Sequence, residues 1–573
     1  MSNVTAGVAT YPEQFVGYWG CGNQATLSPM LKMACQVSGT NSYTLSYPTA
    51  DGTLIELSAA GWQSHQHNNT SSDAWVKIEG NCLTLGRQAF GRVTLYWMQI
   101  EQVIWFASRL QLLLHLVVPK ISIPALYGYS CFSYVPTPLT PIEQIAALPA
   151  GTEQTWIQDA GSLLVPQSQC LLEWDEEPHQ IDNEQDAIAQ LQTLLKASVA
   201  RQIADLDNAT VGVSLSGGLD SSIIAALLVQ SGIKVRAYTL DFGNSGIPEY
   251  PYAEQVAQWL NIPLVKVDAT PRQIRSALIP TIKALDLPFG DGVTVPLFLL
   301  NQAASQDTQI IFNGEGGDQL FAGWTNKPLI AASIYQAESD GKSFEYHYLR
   351  TFHRLWGYET QVFQPDIYAQ VQHLQPHDWL KSALDSTTTR SLLHRLRRAS
   401  LMLKGAQNIQ PRATNLAFAH GLQVRSPFCD LPLAQWTFQL SGELCLQGAC
   451  EKYILKRAVE PWLPPEIVWR QKRGMGVPLT SWCLNEWWRL LGTWLNPGML
   501  QAEGRWQSDL ASRIALGELG GTIQGRRIGE ILWLLIVWQL WRSHVLGEPA
   551  ENFCVNHPFW LPRHVWKLSN RWI

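Results

Sequence analysis

Val211-Gly212-Val213-Ser214-Leu215-Ser216-Gly217-Gly218-Leu219-Asp220-Ser221-Ser222 decides how this chain is to be read. The β-like run at 211–215 predicts a strand, and Ile223 to Gln230 predicts a helix. Between them lies a Gly-rich turn, so the helix opens where the strand ends. Backbone N–H groups point into such a turn and the helix dipole adds partial positive charge, which together cradle a polyanion. Gly217 and Gly218 let the backbone come close to phosphates. Asp220 adds a carboxylate suited to a hard cation such as Mg²⁺, and Ser221 and Ser222 add hydroxyls able to cap the helix. No lysine follows the glycines, so this is not the GxxxxGK[ST] loop. Taken alone, a Ser-Gly-Gly string also fits an ordinary surface turn.

The pattern on both sides of the loop supports a sheet enzyme. Asp186 to Ile203 reads as a helix. Beyond the loop come strand Val235–Leu240, helix Ala253–Leu260, strand Pro263–Val267, helix Gln273–Leu285 and strand Gln309–Phe312. Strands alternating with helices indicate a parallel, doubly wound α/β sheet, whose ligands sit outside the carboxyl ends of the strands. After about residue 325 the pattern turns helical, with Phe344–Arg354, Leu392–Leu403, Cys450–Val459, Asn485–Leu495 and Ile528–Trp541, which predicts a C-terminal helical lobe over the sheet. Residues 1–170 are instead β-rich, with short runs at Ser42–Tyr47, Val93–Trp97 and Val103–Phe106. Pro136, Pro138 and Pro141 mark a loop, and the acidic stretch Glu173–Pro178 reads as a linker.

The 573 residues imply several folding units, roughly three or four by length alone. Hydrophobic residues make up 46% and charged residues 15%, as in well-packed globular chains. A net charge of −6 and a pI near 6.1 exclude a general basic field for nucleic acid. The 25 tryptophans read as core and interface filling. Ten scattered cysteines include no CxxC pair, and there is no HExxH, which speaks against zinc and against a disulfide framework. The N-terminus shows no signal peptide. Ile531 to Trp541 is about half the length that spans a bilayer. A cytoplasmic protein without membrane or nucleic-acid partners is expected.

A second Gly-rich segment carries the argument further. The strand at 309–312 runs into Asn313-Gly314-Glu315-Gly316-Gly317-Asp318-Gln319-Leu320-Phe321-Ala322-Gly323-Trp324, which sets two carboxylates on one loop. Ser216–Ser222 resembles the PP-loop of ATP pyrophosphatases. The two loops in this order resemble the asparagine synthetase superfamily. Further pieces are similar to that family: Gly421–Asp430 to its GLExRxPFLD segment, Glu451–Lys456 to its K-(Y/H)-x-L-(R/K) helix, and Trp469–Gly476 to its RxK-x-GxG loop. The resemblance covers residues 185–545. It extends weakly upstream, through Leu85–Tyr96 and Phe106–Ser108.

The resemblance implies an adenine nucleotide α-hydrolase-like domain at 183–573, joined to an N-terminal glutaminase-like (Ntn-type) domain at 1–175. It also implies ATP and Mg²⁺ as cofactors, and it gives roles to individual residues. By that likeness, Ser216, Gly217, Gly218, Asp220, Ser221 and Ser222 hold the pyrophosphate and its metal. Leu215, Leu240, Asn313 and Gly314 flank the nucleoside, and Asp318 is the second Mg²⁺ carboxylate. Lys472 neutralises the α-phosphate as pyrophosphate departs, and Glu315 orients or deprotonates the attacking amine. Arg425 pairs with the nucleotide or else ties its loop to the helical lobe.

The chain departs from the family in its first domain. Glutamine-dependent members begin with Cys after Met removal, whereas this chain begins Met1-Ser2; Ser2 as a nucleophile competes with a common processed terminus. No NGEIYN-like segment occurs, Gln88 replaces Asp in the RDPxG-like piece, and Arg109 stands where the family usually has Glu. The expected domain is therefore a glutamine amidotransferase scaffold that has lost its chemistry. The amine must then come from ammonia or from the substrate itself. β-Lactam synthetases carry Tyr where this chain has Glu315, so the closer expectation is a lasso-peptide macrolactam cyclase. Such an enzyme adenylates an Asp or Glu side chain of a precursor peptide and closes the ring with the peptide's amine, alongside a leader-peptide protease and a recognition protein. The alternatives are asparagine synthetase proper, or a catalytically silent nucleotide-binding homologue.

Overall fold

The computed structural model describes residues 14–36, 41–44, 53–58, 61–65, 73–159, 162–177, 180–206, 209–243, 249–323, 341–548, 557–562 and 565. The Ser2 terminus, the end of the 42–47 run, Pro178 and Trp324 lie outside them.

The N-terminal half is a two-sheet sandwich. One sheet runs β2 (Asn41–Thr44), β1 (Phe15–Gly20), β8 (Val103–Ala107), β7 (Tyr96–Ile100) and β9 (Ala146–Ala147). The other joins β3 (Thr53–Ser58), β4 (Gly61–His65), β5 (Ala74–Glu79), β6 (Cys82–Arg87), β10 (Thr152–Asp159), β11 (Ser162–Leu163) and β12 (Gln167–Cys170). Period-two alternation sorts the side chains. In β8, Ile104 and Phe106 face the second sheet with Trp19, Leu85 and Trp156. Val103, Trp105 and Ala107 face the other way, into a cluster with helices α1 (Gln24–Gln36), α2 (Leu110–Leu114) and α3 (Ile123–Phe132). The run expected as a strand at 93–97 enters its ladder only at Tyr96, because Val93 and Leu95 fill the space between the sheets.

The second half contains the expected parallel sheet. Its order is β15 (Leu264–Asp268), β14 (Lys234–Asp241), β13 (Thr210–Ser214), β16 (Ile310–Phe312) and β17 (Gln423–Arg425), and every pairing is parallel. The chain leaves β13 toward β14 and β15, then returns to β16 on the other side, so the topological switch lies between β13 and β16. Helices α4 (Glu184–Ile203), α5 (Leu219–Gln230) and α6 (Tyr250–Leu260) bury Leu191, Leu195, Ile223 and Val256 against one face. Helices α7 (Pro271–Ala284) and α8 (Thr294–Ala304) cover the other, with helix Arg526–Val545 packed on α7. That last helix is buried from Ile531 to Arg542, and no helix among the described residues is long and apolar enough to cross a membrane.

Two differences from the sequence expectation bear on the site. The helix expected at 392–403 is α-helical only to Ser400 and continues as a π-helix through Leu401–Ile409. Pro411, lacking an N–H, has none to offer the carbonyl four residues back. The helix expected at 450–459 starts only at Tyr453, because Cys450–Glu451 pairs with Leu446–Gln447 as a small hairpin. The stretch expected as a linker at 173–178 is fastened. Trp174 is buried between Phe90 and Phe438, with ring centroids 5.6 and 5.7 Å away, and Glu176 accepts the Ser391 N–H at 2.7 Å.

The two halves share one apolar cluster, running from Val16 and Tyr129 to Trp538 and Trp541. Arg109 reaches across to Asp286 at 2.7 Å and to the Ala284 carbonyl at 2.9 Å. Tyr129 donates to the Leu534 carbonyl at 2.8 Å.

Candidate active site

Both Gly-rich loops lie at the carboxyl ends of neighbouring strands, β13 and β16, and they pack against each other. A Cβ on Gly314 would stand 2.7 Å from Ser221 N, and one on Gly317 would stand 2.5 Å from Asp220 Oδ1. Gly217 has φ +66°, with no room for a side chain beside Tyr252 and Ala253. The first loop holds its shape by its own hydroxyls. Ser216 N donates to Ser221 Oγ at 3.2 Å, Gly218 N to Ser216 Oγ at 3.3 Å, and Ser222 Oγ to the Gly218 carbonyl at 2.8 Å. Gly218 caps α5 without a side chain, so the first turn is open to an anion. Arg470 pins the loop from outside. It donates to the Gly217 carbonyl at 3.2 Å and stacks 3.5 Å over the Tyr252 ring.

A cavity of about 520 Å³ opens at this switch point. Leu215, Ser216, Gly218, Asp220, Ser221, Leu240, Asn313, Gly314, Glu315, Asp318 and Lys472 all line it. Three other expected residues do not. Gly217 shapes the loop from behind, and Ser222 turns its hydroxyl back into α5. Arg425 points elsewhere. Its guanidinium engages Asp205, with Nη2 2.8 Å from Oδ2, and donates to the Gln202 carbonyl. Of the two roles weighed for Arg425, only that of a tie has a geometry here, and the tie is to the end of α4. The catalytic assignment is corrected on that ground.

The centre of the cavity holds a residue to which the sequence pattern gave no role. Lys452 Nζ lies 2.5 Å from Asp220 Oδ2 and 2.5 Å from Asp318 Oδ1, with its side chain 2% exposed. It sits at φ +55° between the hairpin and helix Tyr453–Val459. Gly323 passes so close to Lys452 that no side chain fits there. Lys472 Nζ takes the other Asp318 oxygen at 2.8 Å, and its backbone N–H donates to Glu451 Oε1 at 2.9 Å. Two carboxylates and two ammonium groups thus form one network, buried at Asp220 and Lys452 and half-buried at Asp318 and Lys472. Burial opposes the charge of Asp318, but Lys452 and Lys472 outweigh it and hold its pKa at about 2. Asp220 is deeper, and burial raises its pKa against the pull of Lys452. Lys472 stays charged: burial lowers its pKa, yet Asp318 and Asp220 raise it above the ordinary lysine value. Glu315, beside the network, has its pKa raised by burial despite Arg412.

Asp220 and Asp318 were expected to bracket Mg²⁺, and the space between them holds the Lys452 ammonium instead. Their oxygens still suit a cation that binds through one or two carboxylates plus phosphate oxygens. Lys452 lies in the Glu451–Lys456 segment already singled out by resemblance, so its position was visible in the sequence although its burial was not. Phe132 and Ser133 of the N-terminal half also line the cavity, and no pattern in the sequence announced that.

The family model for asparagine synthase matches residues 190–543, more than half of the chain. The chain is 23% identical over 431 residues to glutamine-hydrolyzing asparagine synthetase 1 of Bacillus subtilis (strain 168), covering 70% of this chain and 67% of that protein. It is 25% identical over 453 residues to a putative glutamine-hydrolyzing asparagine synthetase of Mycobacterium bovis, covering 73% and 67%. Among solved structures, the NH3-dependent NAD synthetase of Campylobacter jejuni matches 33% of this chain and 92% of its own, at 14% identity and a TM-score of 0.18, too low to carry an argument.

Proposed function

Because the chain belongs to the asparagine synthase family and is with it an ATP-dependent amide-forming ligase, we propose that it adenylates a side-chain carboxylate and passes the acyl group to an amine. The observation that carries this reading is the ionic network of Asp220, Asp318, Lys452 and Lys472, set between two Gly-rich loops with Glu315 beside it.

The nucleoside lies along Leu215, Leu240, Asn313 and Gly314, and the phosphates lie on Ser216, Gly218 and Ser221 at the opening of α5. Asp220 and Asp318 are the residues that would hold Mg²⁺ against the phosphates, and such an ion would supply charge neutralisation for the departing pyrophosphate. A substrate carboxylate oxygen bonds to the α-phosphorus, and the bond from that phosphorus to the β-phosphate oxygen breaks. Lys472 and Lys452 face the charge that develops as that bond lengthens, already fixed in place by Asp318 and Asp220. The amine nitrogen then bonds to the acyl carbon, AMP leaves, and Glu315 takes the proton. Its raised pKa makes it a stronger base than an ordinary glutamate.

For the amine, the first reading is ring closure within a precursor peptide, giving a lasso-type macrolactam with a leader-peptide protease and a recognition protein as partners. Two features support it: the chain has no NGEIYN-like segment, and Arg109, where the family usually has Glu, is committed to Asp286. An α-amino group has a pKa near 8, so modest desolvation frees it to attack. Asparagine formation is the second reading, supported by the names of the relatives. The test is pyrophosphate release from ATP and Mg²⁺ with aspartate plus ammonia, aspartate plus glutamine, or a precursor peptide. Release with the peptide alone, and loss of one water from its mass, supports ring closure. Asparagine as product refutes it, and no release with any substrate refutes the ligase reading for this chain.

A further inference from the structure

The π-helix at Leu401–Ile409 leaves one main-chain carbonyl short of a donor. A π-turn bonds each N–H to the carbonyl five residues back. Gln410 N–H accordingly donates to the Gly405 carbonyl, and so is lost to Ala406, its partner in an α-register. In the π-register the donor to Ala406 would be residue 411, which is proline and has no N–H. Neither register supplies the Ala406 carbonyl.

A donor comes from the other half of the molecule. Arg87, at the end of β6, is 2% exposed, and the four acceptors it reaches are all main-chain carbonyls. Nε donates to Val93 at 2.7 Å and Nη1 to Leu148 at 2.9 Å. Nη2 donates to Gly91 at 2.7 Å and, across the boundary between the halves, to Ala406 at 3.3 Å. Gly91 permits the approach: its φ is +66°, and a Cβ there would stand 2.6 Å from the Ala406 oxygen. The next residue is held as well. Thr137 N–H donates to Gln407 Oε1 at 3.0 Å, and Gln407 Nε2 donates to the Met402 carbonyl at 3.0 Å. The first half therefore grips two consecutive residues of the π-helix, on the turn that leads to Asn408 and Arg412. Both of these are buried and line the cavity; Arg412 donates to Asn408 Oδ1 at 3.1 Å and pairs with Asp291.

On the reading that this cavity belongs to the ligase, we propose that Arg87 is a positioning residue: it takes the carbonyl that Pro411 leaves free and so holds the π-register that faces Asn408 and Arg412 into the cavity. A π-turn fits one extra residue into a helix, and its return to an α-register turns the flanking segments by about 100° against each other. Asn408 and Arg412 would leave the wall in that turn. A lysine does not replace the guanidinium, whose planar fork reaches carbonyls on both sides of the boundary from one nitrogen. Arg87 is not among the residues that line the cavity, so it acts only through the helix.

The experiment compares wild type, Arg87→Met, Pro411→Ala and the double variant, all as the full chain. Alanine at 411 brings back the N–H that the π-register lacks. Hydrogen exchange read by mass spectrometry should be roughly 10-fold faster over Leu401–Ile409 in Arg87→Met, and within about 3-fold of wild type in the double variant. Pyrophosphate release is measured with aspartate plus ammonia, aspartate plus glutamine, or a precursor peptide. For whichever acyl substrate wild type accepts, its KM should rise roughly 10-fold in Arg87→Met while the KM for ATP stays within about 2-fold, and the double variant should recover most of the loss. Arg87→Lys, which keeps the charge, takes the place of Arg87→Met if that variant does not fold. Unchanged exchange over 401–409, faster exchange confined to the first half, a KM for ATP that rises in step, or no recovery with Pro411→Ala overturns the proposal. Absence of release from wild type with every substrate sinks the ligase reading alone, and the exchange measurement then decides the role of Arg87 by itself.

Discussion

Replacing Lys452 by methionine removes the ammonium between Asp220 and Asp318 while nearly keeping its volume. Lys472 alone would then face both carboxylates, and it contacts only Asp318. Removing one partner of a buried ion pair costs about 3–5 kcal/mol, because the other charge remains desolvated. The 391 residues from 183 to 573 unfold with an entropy of about 0.8 kcal/mol/K if they act cooperatively, so the melting temperature should fall by about 4–6 °C. The pH dependence gives a sharper check. The pKa of Asp220 is already raised by burial, and loss of Lys452 raises it further. A carboxyl whose folded pKa exceeds its unfolded value favours the folded state as pH falls toward that pKa. The deficit of Lys452→Met should therefore narrow between pH 7 and pH 5. Adding Asp220→Asn should recover most of it at pH 7. Scanning calorimetry on the three proteins reads all of this. A variant that melts with wild type at pH 7, or a deficit that is flat with pH, would refute the view that Lys452 neutralises this pair.

Glu315→Gln should keep pyrophosphate exchange within a few-fold of wild type yet slow amide formation by roughly 10²–10⁴-fold. In wild type the amide step should be lost as pH falls through the raised pKa of Glu315, and that acid limb should vanish in the variant. Gly217→Ala places a Cβ 2.5 Å from Ala253 N at φ +66°, a strain of about 1–3 kcal/mol; the KM for ATP should rise roughly 10-fold, whereas Gly232→Ala, at φ +78° in open space, should leave it unchanged. Arg109→Met leaves the Asp286 carboxylate buried and unpaired, which should cost about 3 kcal/mol and show as faster proteolysis between the halves; unchanged digestion would rule out a clamp at that pair.

Much of the fold was legible because local pattern and tertiary role agree. Val211–Leu215 and Val235–Leu240 are rich in apolar side chains because both faces of a parallel sheet are covered, and the glycines at 217 and 314 are required by contacts that leave no room for a Cβ. The burial of Lys452 was not legible. A lysine amid Glu451-Lys452-Tyr453 has the local pattern of a surface residue, and only the approach of Gly323 encloses it. Arg425 misled for the converse reason. It follows the motif in sequence, but it lies on edge strand β17 with Asp205 at hand, so its charge is satisfied away from the cavity. The fastening of Trp174 is equally non-local, since Phe438 lies more than 250 residues away.

Phe132 and Ser133 extend the N-terminal half into the wall of the cavity, and Ser133 also receives a hydrogen bond from Arg354. That contact limits what gene rearrangement can do to this protein. A domain that meets its neighbour only through a tether can be shed in one deletion once its own activity is lost. Here a deletion ending near residue 175 would strip one side from the neighbouring chamber and leave Tyr129's partners exposed to water. Point changes can alter the first domain's chemistry, but excision cannot remove the domain without opening the chamber beside it.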